Sequence, residues 1–188
     1  MHFDTYPELE TERLYLRKMT LEDAPELFKI LSDPLVVKDM GEAPFTNVEQ
    51  AEGVIHFMND LFENNQAFRL GIIRKEDNKL IGTCGYNSWE VNRGPRGEIA
   101  YDLGSEYWRK GYASETIKAL LDFGFYTMGL HRIEAFTNLD ALPSMGILSK
   151  MGFKEEGILR GYAFFHGEFQ DQRCYSLLKN RGKVKWKI

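Results

Sequence analysis

Trp108-Arg109-Lys110-Gly111-Tyr112-Ala113 is the stretch on which the fold turns. It follows an alternating run, Glu98 to Leu103, in which Ile99, Tyr101 and Leu103 share one face and Glu98, Ala100 and Asp102 the other. It opens the clearest helical pattern in the chain: Ile117, Leu120, Leu121, Gly124, Phe125 and Met128 recur at the spacing of one helix face. A strand that feeds a helix in this way leaves the first helical amides without intrahelical acceptors, and the helix dipole favours an anion there. Gly111 and Ala113 are small enough to let the anion approach, and Arg109 and Lys110 add positive charge. On spacing alone, the same residues also describe an ordinary helix start with solvated basic side chains. Neither G-x-G-x-x-G nor G-K-[ST] occurs in the sequence, so neither of those phosphate-loop motifs supports an anion site.

A second strand–loop–helix unit follows. Arg132 to Thr137 reads as a short strand, and Leu142 to Met151 as a short helix ended by Gly152. Upstream, Arg13 to Lys18 alternates as a half-buried strand. A helix capped by Asp23 runs through Leu27, Phe28, Ile30 and Leu31 until Asp33-Pro34 stops it. Thr46 to Glu49 reads as a capping box for a helix reaching about Asn64. Phe68 to Arg74 and Leu80 to Tyr86 form a hairpin around Lys75 to Lys79. Phe153 to Leu159 and Phe169 to Leu178 close a last hairpin, with His166-Gly167 near its turn. The predicted order is strand, two helices, three strands, helix, strand, helix, two strands, a mixed-sheet α/β (α+β) domain with about four helices.

The chain has 188 residues and no low-complexity linker, which predicts one domain over 1–188 with its motif-bearing core from about 9 to 179. A formal charge of −4 argues against nucleic acid, whose phosphates reward a basic stripe, and suits a cationic substrate such as an amine. No apolar run reaches membrane-spanning length and the first residues lack a signal-peptide pattern, so a cytoplasmic protein is expected. Cys84 and Cys174 are too few and too isolated for a disulfide framework or a zinc site, and no metal is expected. Cys174 has no His/Asn pattern to make it a nucleophile.

Residues Gly97 to Gly157 resemble the GNAT superfamily of acetyl-CoA-dependent N-acetyltransferases, and in particular its RimJ/RimL-like ribosomal-protein branch. The superfamily's pyrophosphate motif, Q/R-x-x-G-x-G/A, falls on Trp108 to Ala113 with Gly111 and Ala113 matching. Tyr107 to Glu115 is similar to the branch's YWGKGYATE. Ser144 with Lys150 to Gly157 is similar to its S…EKLGFxxEG, and Thr11 to Arg17 to its TERLxLR.

The resemblance implies a mostly antiparallel twisted sheet splayed after the fourth strand. Acetyl-CoA would lie in the opening as co-substrate. Its pantetheine would pair with Tyr101, Asp102 and Leu103, and its pyrophosphate would rest on the amides of Arg109, Lys110, Gly111, Tyr112, Ala113 and Ser114. The acceptor implied is a primary amine attacking the thioester directly, a protein N-terminal α-amine by the branch's name or a small-molecule amine. A non-catalytic acyl-CoA-binding or sensing domain is the reading from another class. Relatives occur as monomers and as dimers, so a homodimer is within the implied range.

Individual roles stay open on sequence. Glu98 is either the proton acceptor or a half-exposed strand carboxylate, and Asp102 is a second acceptor or a solvent-facing side chain. The tyrosine that many members place four residues before the Gly-Phe pair is Leu148 here. The branch's acid serine matches Ser144, which is alternatively an N-cap or first-turn hydroxyl. The family's pantetheine asparagine falls on Ala141; Asn138 either takes over that contact or turns the loop.

Overall fold

The computed structural model describes residues 3–41, 43–165 and 167–179. Among these residues, eight strands form one sheet: β1 (Leu9–Glu10), β2 (Leu14–Lys18), β3 (Phe68–Arg74), β4 (Lys79–Glu90), β5 (Arg96–Leu103), β6 (Arg132–Asn138), β7 (Lys154–Phe165) and β8 (Glu168–Leu178). Their spatial order is β1-β2-β3-β4-β5-β6-β8-β7. All neighbours are antiparallel except β5 and β6, which run parallel and pair only at Arg96↔Arg132, Gly97↔Ile133 and Glu98↔Glu134.

Beyond Glu98 and Glu134 these two strands part. β5 keeps register with β4 as far as Leu103, and β6 with β8 as far as Asn138, so each follows its other neighbour and the sheet opens between them. Register shifts between Tyr86 and Ser88 in β4, and between Glu155 and Gly157 in β7, add local twist on either side of the opening. The sheet is therefore mixed, mostly antiparallel and splayed after the strand that carries Glu98 to Leu103. That strand is the fifth rather than the fourth, because Leu9–Glu10 is a strand too short to show alternation in sequence.

Among the described residues, five α-helices flank the sheet: α1 (Ala24–Leu31), α2 (Pro34–Val37), α3 (Val48–Glu63), α4 (Tyr112–Asp122) and α5 (Leu142–Lys150). The extra helix, α2, starts where a stop was expected. Asp33 caps it, accepting from Leu35 N–H at 2.9 Å, and Pro34 sits at its first position, where the missing N–H costs nothing. The box at α3 lies one residue later than expected, on Asn47 and Gln50; Asn47 Oδ1 accepts from Gln50 N–H at 3.1 Å. Asp23 is not a side-chain cap for α1. Its carboxylate turns back to Thr20 N–H at 2.8 Å and to the Arg17 guanidinium at 2.8 and 2.9 Å.

The α4 stripe packs as its spacing predicts, with Ile117, Leu120, Leu121, Phe125 and Met128 buried against Phe68, Tyr86 and Ile99. A single π turn over Phe123–Thr127 continues it. There Gly124 lies against Tyr86, where a Cβ would come within 1.9 Å of the phenol oxygen. A second cluster joins Leu27, Ile30, Ala51 and Ile55 of α1 and α3 to Ile73 and Leu80 of the sheet.

Candidate active site

The turn before α4 is built by two residues in left-handed backbone. Arg109 has φ 60° and Gly111, the N-cap, φ 85°. Such alternation turns successive amides towards one concavity. Trp108 holds the start of the turn, its indole N–H donating to Leu103 C=O at 2.8 Å. The bond from Glu115 N–H to Gly111 C=O measures 3.1 Å. The amides of Tyr112, Ala113 and Ser114 precede it, have no carbonyl one turn back and receive no side-chain cap. Arg109 and Lys110 are exposed beside them.

Arg13 braces this turn from behind. Its guanidinium donates to Lys110 C=O at 3.0 Å and to Glu115 Oε2 at 2.7 Å, and lies 4.4 Å from the Tyr112 ring centroid. Glu115 also accepts from Arg13 N–H at 2.8 Å and Thr11 Oγ1–H at 2.6 Å. Burial works against the Glu115 carboxylate, but these donors outweigh it and hold the group below the usual glutamate range. The two stretches Thr11 to Arg17 and Tyr107 to Glu115 are thus one tied unit. Charge and spacing gave no sign of that pairing, which spans 102 residues between Arg13 and Glu115.

Across the opening, α5 starts at Leu142 with Ala141 as N-cap, so Ser144 is a first-turn hydroxyl and not the cap. Beside it is Tyr101, whose hydroxyl is buried without a hydrogen-bond partner among the described residues. Burial pushes this phenol up to about 12, and the neighbouring Ser144 hydroxyl offsets part of the rise. Leu148 is a core residue.

The other face of β5 carries Glu98 and Asp102, in different settings. Asp102 does not face solvent: its side chain is 9% exposed and is held by Arg69 Nη2 at 2.5 Å, Thr83 Oγ1–H at 2.6 Å and Thr83 N–H at 3.2 Å. With both oxygens engaged and a guanidinium in contact, it is a structural carboxylate and no longer a candidate proton acceptor. Glu98 accepts from Asn87 Nδ2–H at 3.0 Å. Burial first, and Glu134 after it, raise Glu98 above the ordinary glutamate value, against the hydrogen bonds of Asn87 and Ser88 and the charge of Arg69.

Asn138 is spoken for as well, donating to Asp39 C=O at 3.2 Å and accepting from Gln172 Nε2–H at 3.4 Å. It fastens the segment after α2 to the end of β6. Phe136 and Tyr162 stack at 4.8 Å on the Glu134 side. Cys174 is buried, and desolvation with the nearby Glu134 and Glu156 raises its thiol, which keeps it protonated and unreactive. His166 lies outside the described residues.

A family described as "Acetyltransferase (GNAT) domain" matches residues 13–154. The chain belongs to the GNAT acetyltransferase family. It is 47% identical over 171 residues to the uncharacterized N-acetyltransferase p20 of Bacillus licheniformis, covering 91% of this chain and 96% of that one. A GNAT-family acetyltransferase of Bacillus anthracis superposes with a TM-score of 0.79 at 28% identity, over 92% of this chain and 98% of the other. RimL, a ribosomal L7/L12 α-N-protein acetyltransferase solved with coenzyme A, superposes at 0.76 and 19% identity, over 92% and 98% of the two chains, a likeness of fold.

In this GNAT domain Glu98 lies in the last register pair before β5 and β6 part, and Ser144 lies beside Tyr101 further along β5. What sequence reasoning missed is the polar set on the Glu98 face, Arg69, Thr83 and Asn87. Arg69 and Asp102 are 33 residues apart, and no local pattern marks them as partners.

Proposed function

We propose that this chain transfers the acetyl group of acetyl-CoA to a primary amine by direct attack, and that the amine is a protein N-terminal α-amine. One observation carries the reading: beyond Glu98, β5 has no strand partner on its β6 side, and it runs to Leu103, whose C=O is bonded by the Trp108 indole at the start of the α4 turn. The amides of Arg109 to Ser114, with the Arg109 and Lys110 charges beside them, suit a pyrophosphate. The backbone of Tyr101, Asp102 and Leu103 suits an extended pantetheine arm added like a strand. Ligand-bound RimL, of the same fold, supports a CoA-type donor in this architecture.

Attack forms an N–C bond and breaks the C–S bond, so the nitrogen must lose a proton and the sulfur must gain one. A backbone N–H of β5 polarises the thioester carbonyl. Glu98, its basicity raised by burial, takes the amine proton through water. The Ser144 hydroxyl donates to the departing sulfur. An α-amine with a pKa of about 8 is within reach of such a base, whereas a lysine near ~10.4 needs stronger help. Two buried, unpaired cysteines fit a reducing cytoplasm.

Thermal shift with CoA, acetyl-CoA and ATP, followed by thiol release over N-terminal peptides, polyamines and amino-acid-like amines, tests this. Stabilisation by acetyl-CoA but not ATP, with peptide-dependent thiol release, is the expected result. Stabilisation with no release for any amine would make the chain a non-catalytic acyl-CoA-binding domain. Release with small amines alone would replace the acceptor class and leave the chemistry standing.

A further inference from the structure

The Glu98 face carries an unbroken run of hydrogen bonds that the transfer chemistry above does not use. Asp102 anchors it, accepting from Thr83 Oγ1–H at 2.6 Å and Arg69 Nη2 at 2.5 Å. Arg69 Nε donates to Thr83 Oγ1 at 2.8 Å, and Arg69 Nη1 to Asn87 Oδ1 at 3.3 Å. Asn87 Nδ2 then donates to Glu98 Oε1 at 3.0 Å. A guanidinium has donors only, so its approach to Asn87 Oδ1 fixes which way the amide points. The N–H end is left for Glu98 and the carbonyl end is turned away.

The backbone serves the same arrangement. Tyr86 pairs with Ile99 and Ser88 with Glu98, so Asn87 is the extra, unpaired residue of the β4 bulge. Bulges re-aim side chains beside active sites, and this one sets an exposed asparagine between a nearly buried arginine and a half-buried glutamate.

We propose that Arg69 and Asn87 are positioning residues for the transfer reaction: the arginine, locked by Asp102 and Thr83, orients Asn87 so that its amide holds Glu98 in place and in its ionised form. The inference rests on the reading of Glu98 as proton acceptor. The groups around Glu98 act in opposite directions. Burial and Glu134, itself bonded to Arg132, favour the protonated acid, while Asn87, Ser88 and Arg69 favour the carboxylate. From β7, Tyr162 lies close enough for the Glu98 charge to raise its phenol. The Asn87 bond supplies a donor to a carboxylate whose neighbouring strand presents another acid.

Carboxyl ¹³C NMR titration of glutamate-labelled protein tests this, with the Glu98 resonance assigned by its loss in Glu98→Gln. Asn87→Ala should move the Glu98 midpoint to higher pH, and Glu134→Gln should move it to lower pH. The acid limb of the thiol-release profile should move with the midpoint, and kcat/KM at neutral pH should fall about 2- to 10-fold in Asn87→Ala, the effect of one lost hydrogen bond. Asn87 is exposed, so its truncation leaves the core intact. A Glu98 midpoint unchanged in Asn87→Ala overturns the positioning role, even if Glu98→Gln abolishes the acid limb and so upholds the base. A wild-type acid limb in Glu98→Gln removes the base and this inference with it.

Discussion

Glu98 and Glu134 face each other as the last register pair of β5 and β6, at the point where the sheet opens. Burial raises Glu98 above the ordinary glutamate range, and the facing Glu134 charge raises it further. Glu134 is compensated by Arg132, whose Nε donates to it at 2.6 Å and whose other nitrogens hold Glu156 at 2.8 and 2.5 Å. Glu98 has only neutral donors and the more distant Arg69 charge. The two carboxylates are therefore compensated unequally, with the guanidinium contact on the Glu134 side.

That imbalance has a stability consequence. A glutamate whose folded pKa is raised costs stability above that value, and the cost vanishes below the unfolded pKa. Glu98→Gln should therefore raise Tm at neutral and alkaline pH, with the gain shrinking as the pH falls into the acid range. Thiol release should drop about 10²-fold in the same variant, the scale of a lost general base. Calorimetry across pH beside steady-state rates checks both; a variant that loses Tm at pH 8 contradicts the burial argument.

Asp102 should behave in the opposite way. Its pairing with Arg69 is nearly buried, and breaking such a pair from one side leaves an uncompensated charge. Asp102→Ala is expected to cost about 3–5 kcal/mol in urea unfolding. Its rate, corrected for the folded fraction, should still show an acid limb, displaced to higher pH as in Asn87→Ala because Arg69 is no longer locked. Loss of that limb in folded protein would return Asp102 to the chemistry.

How far the sequence could be read follows from the range of each interaction. Ile117 to Met128 announce α4 because a helix face is a local, repeated signal, and Glu98 to Leu103 show their two faces by alternation. The turn at Gly111 was legible as a candidate anion site, since small residues before a helix are adjacent in the chain. The Arg13–Glu115 brace and the Arg69–Asp102 pair were not, because they join strands and helices distant in sequence. Asn87 was hidden for another reason: a bulge inserts one residue into a regular strand, and hydrophobic alternation does not mark where. The short α2 was masked by Pro34, which reads as a stop but is equally a first helical residue.

Glu115 should tune donor binding without touching the reaction. It collects three hydrogen bonds from Thr11 and Arg13 and, through Arg13, steadies Lys110 C=O at the α4 turn. Glu115→Ala is expected to cost about 1–3 kcal/mol and to raise the KM for acetyl-CoA several-fold with a smaller change in kcat. Because its folded pKa is lowered, Glu115 contributes stability above its unfolded pKa and loses it as the pH falls through the folded one. The Tm difference from wild type should therefore close in acid. A kcat loss larger than the KM change would place Glu115 in the chemistry instead.

Tyr101 and Ser144 separate stability from catalysis most sharply. The Tyr101 hydroxyl is buried and, among the described residues, only the Ser144 hydroxyl beside it offsets that burial, so removing it removes a poorly met polar group. Tyr101→Phe should leave Tm unchanged or raise it, by a free energy of about 1 kcal/mol at most. Ser144 is a first-turn hydroxyl with no capping role, so Ser144→Ala should also be close to neutral in stability. Its effect belongs in the rate. With the sulfur left to solvent for its proton, kcat should fall about 10²-fold, within the range for general acids. Changing the leaving group gives the decisive comparison: an acetyl thioester whose thiol is more acidic needs less help, so the Ser144→Ala defect should shrink on it. An equal defect on both thioesters would assign Ser144 to donor binding and leave the thiolate without a protein donor.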